Sequence, residues 1–464
     1  MGNYSHGIQI KERTISLSNL AIFLAGAIWL VTLLGSEKWQ DNNSIKDDVI
    51  YYYSYLPALF IYQDLSFGFT DELPEEIATK IWVNTDSGIP KMTIGLSIMY
   101  SPFFLMAHGY SKLRGTPNGY SAPYHLMLLF AGLFYGIMGL FVLKKILLIY
   151  FDQLVVALSV FCISLGTNLY HYVGYDGAMS HVYSFFLFAV FVYYSLVWNK
   201  NPNNINSLIM GIAGGLIVLV RPANCLIWIL PFLIAVQSTS TLKIKVDWLI
   251  QNHRNVLLFA FSLLFVLMPQ LLYWKYFTGQ WLYYGYGAES FYFGNPHIID
   301  GLFSYRKGWL LYTPIMFFAI AGLLKIKQYC SNIFFFLLLY VPLNLYLVFS
   351  WWCWWYGGSF GARSLIETYV VLSFPLAVFI TQVLKYRSLF LKGFLGLLAG
   401  FFLLLNVFQS KQYDVAILHW DGMTKDAYWA IFGQSERPEN YLNLISDPDY
   451  ESALLGNEEL INDD

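Results

Sequence analysis

Leu17-Ser-Asn-Leu-Ala-Ile-Phe-Leu-Ala-Gly-Ala-Ile-Trp-Leu-Val-Thr-Leu-Leu-Gly35 is long and apolar enough to cross a bilayer core of about 30 Å. Similar runs recur at 92–112, 123–143, 153–171, 179–198, 205–236, 255–276, 309–325, 332–350, 365–384 and 388–408. They predict an all-α polytopic membrane protein with about eleven transmembrane helices. Composition agrees, with 57% hydrophobic and 12% charged residues in a chain of 464. A formal net charge of −2 and the lack of a basic patch give no reason to expect a nucleic-acid partner. Aromatic residues make up 19%, more than an interfacial belt of Trp and Tyr needs.

The first run is longer than the apolar core of a cleaved signal peptide and reads as a signal anchor. Cys162, Cys225, Cys330 and Cys353 lie in or beside apolar segments without CxxC spacing. They read as small buried residues rather than a zinc site or a disulfide framework. The chain divides into a transmembrane module, 1–409, and a short tail, 410–464. No internal repeat is visible, which weighs against a repeat-built transporter.

Sidedness follows from Lys and Arg near span ends. Lys11 and Arg13 place the N-terminus in the cytoplasm. The polar segment 36–91 is then external, with ten acidic residues against four lysines. Alternation also places the aromatic loops 277–308 and 351–364 and the tail outside. One stretch resists: strict alternation leaves Lys144-Lys145 outside and 172–181 inside. Segment 205–236 would rise about 48 Å as one helix, and Pro222 can break it. If two half-helices meet outside at Arg221-Pro-Ala-Asn224, Lys144-Lys145 returns inside and His181 and Arg221 face outward. That version is favoured, and it requires segment 92–112, with Pro102 in its middle, to be re-entrant.

Chemistry is expected where charge meets the bilayer edge. Asp47-Asp48-Val-Ile-Tyr51-Tyr52-Tyr53-Ser-Tyr55-Leu-Pro57-Ala-Leu-Phe60 combines two carboxylates with a ladder of tyrosines. Asp48 is a candidate general base; the alternative is a helix N-cap. Asp47 can take the capping role and leave Asp48 free. Asp64 is a second acid or another cap. Arg221 lies within an apolar run, where a charge is costly and points to function. Arg363 follows the glycine-rich Gly357-Gly-Ser-Phe-Gly361. A guanidinium fork suits phosphate, while an Arg363–Glu367 pair one helical turn apart is the structural alternative. His181, at the start of an apolar span, is a site residue or a satisfied span-end histidine. Asp48 with Asp64 offers a divalent cation only part of a ligand set. No HExxH, GxSxG or Walker motif is present.

In layout the chain resembles the GT-C superfamily of polyprenyl-phosphate-sugar-dependent glycosyltransferases, which includes protein O-mannosyltransferases and aminoarabinose transferases. The stretch from Asp48 to Phe60 resembles the first-loop acidic motif of bacterial members. Met179-Ser-His181-Val-Tyr-Ser-Phe-Phe, Arg221-Pro-Ala-Asn224 and Gly358-Ser-Phe-Gly-Ala-Arg363 resemble further blocks of that group. The chain departs from the protein mannosyltransferases in having Asp-Asp where they have Asp-Glu, and in lacking a large inserted domain.

The resemblance implies a GT-C-like fold with interfacial helices in the first external loop. It implies transfer of a sugar from a polyprenyl-phosphate donor to a hydroxyl of a glycan, lipid or protein, with inversion. Asp48 would deprotonate the acceptor while arginines such as Arg221 or Arg363 hold the leaving phosphate. The expected substrate-binding set is Asp47, Tyr52, Tyr53, Asp64, His181, Arg221, Asn224, Arg363 and Glu367. The aromatic loops would stack sugars or line a lipid groove. The expected location is a bacterial inner membrane with the site facing the periplasm. A transporter or flippase of lipid-linked glycans is the alternative, and a structural membrane protein a third.

Overall fold

The computed structural model describes residues 16–73, 75, 77–78 and 88–456. Lys11, Arg13, Glu76 and Asp86, on which part of the sidedness and charge reading rests, lie outside the described residues, as does the tail beyond 456. Among the described residues the chain is helical, with one isolated antiparallel bridge between Phe291 and Trp351.

Among the described residues six helices are long and apolar enough to cross a membrane: Leu17–Ser36, Ala122–Leu147, Ser180–Lys200, His253–Thr278, Ser331–Phe349 and Leu389–Asp414. Gln153–Gly166, Asn204–Val220, Pro222–Leu233 and Tyr369–Lys385 are apolar but shorter. The expectation of about eleven spans therefore resolves into long helices and broken ones, and the breaks have local causes. The expected span 153–171 is interrupted after Gly166, where Thr167 adopts an extended backbone (φ −124°, ψ 164°), and resumes as helix at Leu169. Thr167 bonds back to the Ile163 carbonyl (2.7 Å), and Asn168 is held by Phe360 (3.2 Å) and Tyr369 (2.6 Å). The expected span 309–325 breaks between Trp309–Tyr312 and Met316–Leu323, where Pro314 has no N–H to continue the ladder.

Ser180–Lys200 is the central helix, with 72% of its most apolar window buried; the same figure for Leu389–Asp414 is 6%. The central helix packs on Ala122–Leu147 and on Asn204–Val220, which in turn packs on His253–Thr278. An apolar helix with so little buried surface faces lipid in a bilayer.

Hydrogen bonds separate the two ends of the bundle. Ser18 donates to Gln153 (2.7 Å), and Lys144 bonds Asn19, so the start of Leu17–Ser36 shares an end with Lys144. At the other end Lys38 pairs with Asp176 (2.8 Å) and Asp414 (3.1 Å). Burial alone would push the Asp176 carboxyl up, but Lys38 and His171 overrule it and hold it well below the usual range. Lys144 and Asp176 thus stand at opposite ends, as the favoured reading requires.

The helix Asn204–Val220 breaks at Arg221, whose extended backbone (φ −150°, ψ 105°) leads into a 3₁₀ turn beginning at Pro222. The following segment returns to the Lys144 end. There Asn199 donates to Pro231 (3.2 Å), Ala235 to Asn332 (2.7 Å), and Asn332 to Tyr150 (2.8 Å). Arg221 is the apex of a broken pair. The helix Gly95–Leu113 has both ends at the Arg221 end. Ile94 donates to Gln270 (2.8 Å), and a Cβ on Gly95 would stand 2.4 Å from the Leu219 carbonyl carbon. Beyond its other end, Asn118 and Gly119 accept from Tyr62 and Tyr53. Both of its ends lie at that end of the bundle, as the favoured parity requires, but it is one continuous helix through Pro102 rather than a segment that dips in and returns.

These placements give a direct test by cysteine labelling in a variant lacking the native cysteines. The exposed positions Thr116→Cys and Gln280→Cys are expected to label from one side of the membrane, and Ser240→Cys from the other. Labelling of Thr116→Cys together with Ser240→Cys would contradict this placement of Gly95–Leu113.

Candidate functional site

The short helix Asp48–Tyr53 carries the acidic motif into the core, with Val49, Ile50 and Tyr51 to Tyr53 all buried. Asp47 does not cap it. Its backbone lies at φ 49°, ψ −130°, far from the extended geometry of an N-cap, and its exposed side chain makes no capping bond. Asp48 is not left free either: its Oδ2 accepts from Arg363 Nη2 at 3.2 Å.

Tyr52 joins this helix to the broken one. Its hydroxyl donates to the Val220 carbonyl (3.1 Å), while the Asn224 N–H, the helical partner of that carbonyl, bonds Arg221 O instead. Burial, with Asp48 nearby, pushes the Tyr52 phenol up to about 12, so it remains a neutral donor.

One residue beyond Val220 the second cation begins. Arg221 Nη1 donates to His181 Nδ1 (2.7 Å), which requires a neutral imidazole with its proton on Nε2. The same Nη1 lies 3.4 Å from Glu367 Oε1, and His181 Nδ1 is 3.7 Å from Glu367 Oε2. The Arg221 guanidinium stands 5.9 Å from the Tyr356 ring centre, a cation–π distance. Glu367 is only 1% exposed, so its charge depends on Arg221.

The expected pair Arg363–Glu367 does not form: each residue takes a partner from another segment. The reason is the turn before Arg363. Tyr356, Gly357 and Gly361 have φ of 59°, 61° and 58°, and the chain folds sharply there instead of running as helix. Arg363 then sits in a 3₁₀ turn before the helix Tyr369–Lys385. The glycines serve the protein's own packing, since a Cβ on Gly358 would meet Trp420 at 2.6 Å and one on Gly361 would meet Tyr312 at 3.0 Å.

The turn is clamped from behind. Buried Lys307 donates to the Ser359 carbonyl and to the Trp420 carbonyl (2.5 Å), and Arg306 donates to Asp421 O (3.3 Å). Tyr450 donates to the Asp421 carboxylate. Burial pushes the Lys307 amine down to about 7, partly opposed by Asp421 and aided by Arg306 and Arg363. Residues 420–450 of the tail are thereby fixed against the segment that aims Arg363.

Of the expected site residues, the structure gathers Asp48, Tyr52, His181, Arg221, Arg363 and Glu367. Asn224 lies one turn past Arg221, buried, with no partner for its side-chain Nδ2 among the described residues. Tyr53 is a correction: it points away, bonding the Gly119 carbonyl and packing edge-on against Phe104 and Tyr120. Asp64 is another, because it shapes its own loop by accepting from Ser66 N (2.8 Å) and Phe69 N (3.1 Å). The two-aspartate cation site therefore gains no support from its geometry. Among the described residues no group of three or more His, Cys, Asp or Glu side chains could hold a metal ion.

The aromatic loops mostly pack on one another. Tyr292 N donates to Ser350 O (2.6 Å), Trp352 N to Ser290 O (3.0 Å), and Tyr286 meets Trp351 at 5.6 Å between ring centres. Sequence reasoning missed Tyr172, whose ring lies 5.3 Å from His181 and whose hydroxyl accepts from Phe360 N (3.1 Å). It also missed the Lys307 clamp. The available signal was a tandem Arg306-Lys307 in a loop read as external, against the usual charge bias.

No family model matches the chain, and no curated protein matches it. Two solved structures from Archaeoglobus fulgidus are similar to it. A crystal structure of an oligosaccharyltransferase in the apo form aligns with 92% of this chain and 60% of its own, at TM-score 0.45 and 12% identity. The oligosaccharyltransferase AglB, in complex with an inhibitory peptide and a dolichol-phosphate, aligns with 92% and 60%, at TM-score 0.46 and 14% identity. The chain thus spans about three-fifths of the length of these proteins.

The two ion pairs differ in burial and should differ in stability. Glu367→Gln leaves the Arg221 charge without its counterion and is expected to cost about 3 kcal/mol. Asp48→Asn, at a pair whose carboxylate side chain is 37% exposed, is expected to cost under about 1 kcal/mol. Unfolding titrations of the purified protein in detergent check this, and equal costs would contradict the assignment of Glu367 as the buried counterion.

Proposed function

We propose that the chain is a membrane glycosyltransferase of the GT-C type, moving a sugar from a polyprenyl-phosphate donor to an acceptor hydroxyl. The observation that carries this reading is the joining of Asp48 to Arg363 at 3.2 Å. A half-exposed carboxylate able to take a proton stands against a cation able to hold a phosphate. Arg221, with His181 and Glu367 behind it, places a second cation in the same cluster. The sequence resemblance of these same blocks to GT-C enzymes supports the reading independently of the geometry.

The chemistry follows from those positions. The acceptor O–H gives its proton to Asp48 as its oxygen bonds to the anomeric carbon. The bond from that carbon to the phosphate oxygen breaks, and its electron pair leaves with the polyprenyl phosphate. Arg363 and Arg221 hold the charge that develops there, a large effect in a site partly shielded from water. A single displacement of this kind inverts the anomeric centre. Acceptor and donor meet at the Asp176 end of the bundle, opposite the side to which the N-terminal lysine and arginine point; on the proposed reading that end faces the periplasm of a bacterial inner membrane. The acceptor is a glycan, a lipid or a protein hydroxyl.

Membranes carrying the protein, supplied with polyprenyl-phosphate-linked sugars, provide the assay. Asp48→Asn is expected to lower transfer about 100-fold or more, the usual weight of a general base, while the purified variant unfolds as the parent does. Undiminished transfer by a folded Asp48→Asn protein would remove Asp48 from the role. Asp64→Asn, a change confined to its own loop, is expected to leave the rate within about twofold, and a loss comparable to that of Asp48→Asn would contradict the placement of Asp64.

A further inference from the structure

The two arginines of the cluster are held very differently. Arg221 is matched by Glu367, which is 1% exposed, and bonded to His181, which is 3% exposed. Drawing Arg221 away would leave a carboxylate charged and unpaired in the interior, where such a group is costly. Arg221 is fixed.

Arg363 is held loosely. Its bond to Asp48 is a single contact from Nη2 at 3.2 Å; the Arg221–Glu367 contact is no shorter, at 3.4 Å, and what sets the two pairs apart is the exposure of the carboxylate. Its Nε–H is buried and has no acceptor among the described residues. The Asp48 side chain keeps 37% of its exposure, so water can solvate the carboxylate once it lets go. A guanidinium with one contact to an exposed carboxylate and an unused N–H is poised to take a ligand that offers two oxygens to its planar fork, as a phosphate does. A carboxylate bound by one oxygen is poorly placed to resist.

We infer that Arg363 has two successive partners: Asp48, as the structure shows, and then the phosphate of the lipid-linked donor. This deepens the proposed function and rests on it. Phosphate displaces Asp48 from Arg363 without any proton moving. The freed carboxylate then turns to the acceptor hydroxyl. Donor binding therefore prepares the base, and the donor binds before the acceptor. After transfer Asp48 passes the acceptor's proton to the departing polyprenyl phosphate or to water, and the ionised carboxylate then re-forms its pair with Arg363, so the same exchange assists product release.

The exchange makes an unusual demand, that removing the proposed base should improve binding of the phosphate. Citronellyl phosphate, a short isoprenyl phosphate, is titrated calorimetrically into purified full-length protein, with citronellol as the phosphate-free control. Asp48→Asn is expected to bind citronellyl phosphate at least about threefold more tightly, because a half-exposed pair no longer competes. Asp47→Asn removes a neighbouring exposed charge that does not touch Arg363, and is expected to leave the affinity unchanged. Adding Arg363→Ala to Asp48→Asn is expected to abolish the gain.

Equal or weaker binding by Asp48→Asn overturns the exchange. So does an equal gain in Asp47→Asn, which would show a general field effect, or an equal gain for citronellol, which would show a lipid effect. Sugar transfer is a separate readout. Loss of transfer without tighter phosphate binding leaves Asp48 as base and removes the exchange. Tighter binding with undiminished transfer keeps the exchange and removes Asp48 as base.

Discussion

The buried charge of Glu367 organises this molecule. A carboxylate with 1% exposure survives only beside a cation, and Arg221 supplies it at 3.4 Å. That requirement brings together three remote parts of the chain: the break at Arg221-Pro222, the start of the central helix at His181, and the segment between Arg363 and Tyr369. Glu367 is matched by Arg221, and the turn before Arg363 aims that side chain away from the glutamate four residues on. Arg363 turns to Asp48 instead, and so the first external segment is drawn onto the same cluster. The four side chains sum to zero formal charge, with one pair sealed and the other open. A further anion can therefore approach the open pair without disturbing the sealed one.

Much of this was legible in the sequence, for physical reasons. An arginine followed by proline inside a run too long for one span signals a broken helix, because proline removes the next hydrogen bond and charge seeks the membrane surface. The misplaced Lys144-Lys145 carried the same message through the positive-inside bias. Both readings agree with where the structure puts Lys144 and Asp176. The acidic motif was visible as polarity beside a membrane-length run, and Asp48 rather than Asp47 is the residue that reaches the cluster.

The pairings were not legible. Spacing suggested Arg363 with Glu367, and nothing local shows that three positive φ values redirect the chain just before Arg363. Tyr53 and Tyr52 are neighbours with the same side chain, yet they leave a short helix in different directions, one toward Gly119 and the other toward Val220. Which tyrosine faces the site depends on where Gly95–Leu113 and the broken helix pack, and that is tertiary information. Asp64 was ambiguous between cap and site from its neighbours alone; its loop decides for the local role. The Lys307 clamp joins residues more than a hundred positions apart, and only the fold shows that the tail braces the Arg363 turn.

Where a donor phosphate sits decides the role of the cluster. The most direct measurement is an experimental density map of the full-length protein with a polyprenyl-phosphate-linked sugar bound. Phosphate density bonded to Arg363, with Arg221 alongside and Asp48 released from Arg363 toward the space an acceptor hydroxyl would occupy, is the expected outcome. Phosphate density elsewhere, with the Asp48–Arg363 bond intact, would contradict the proposed role of the cluster.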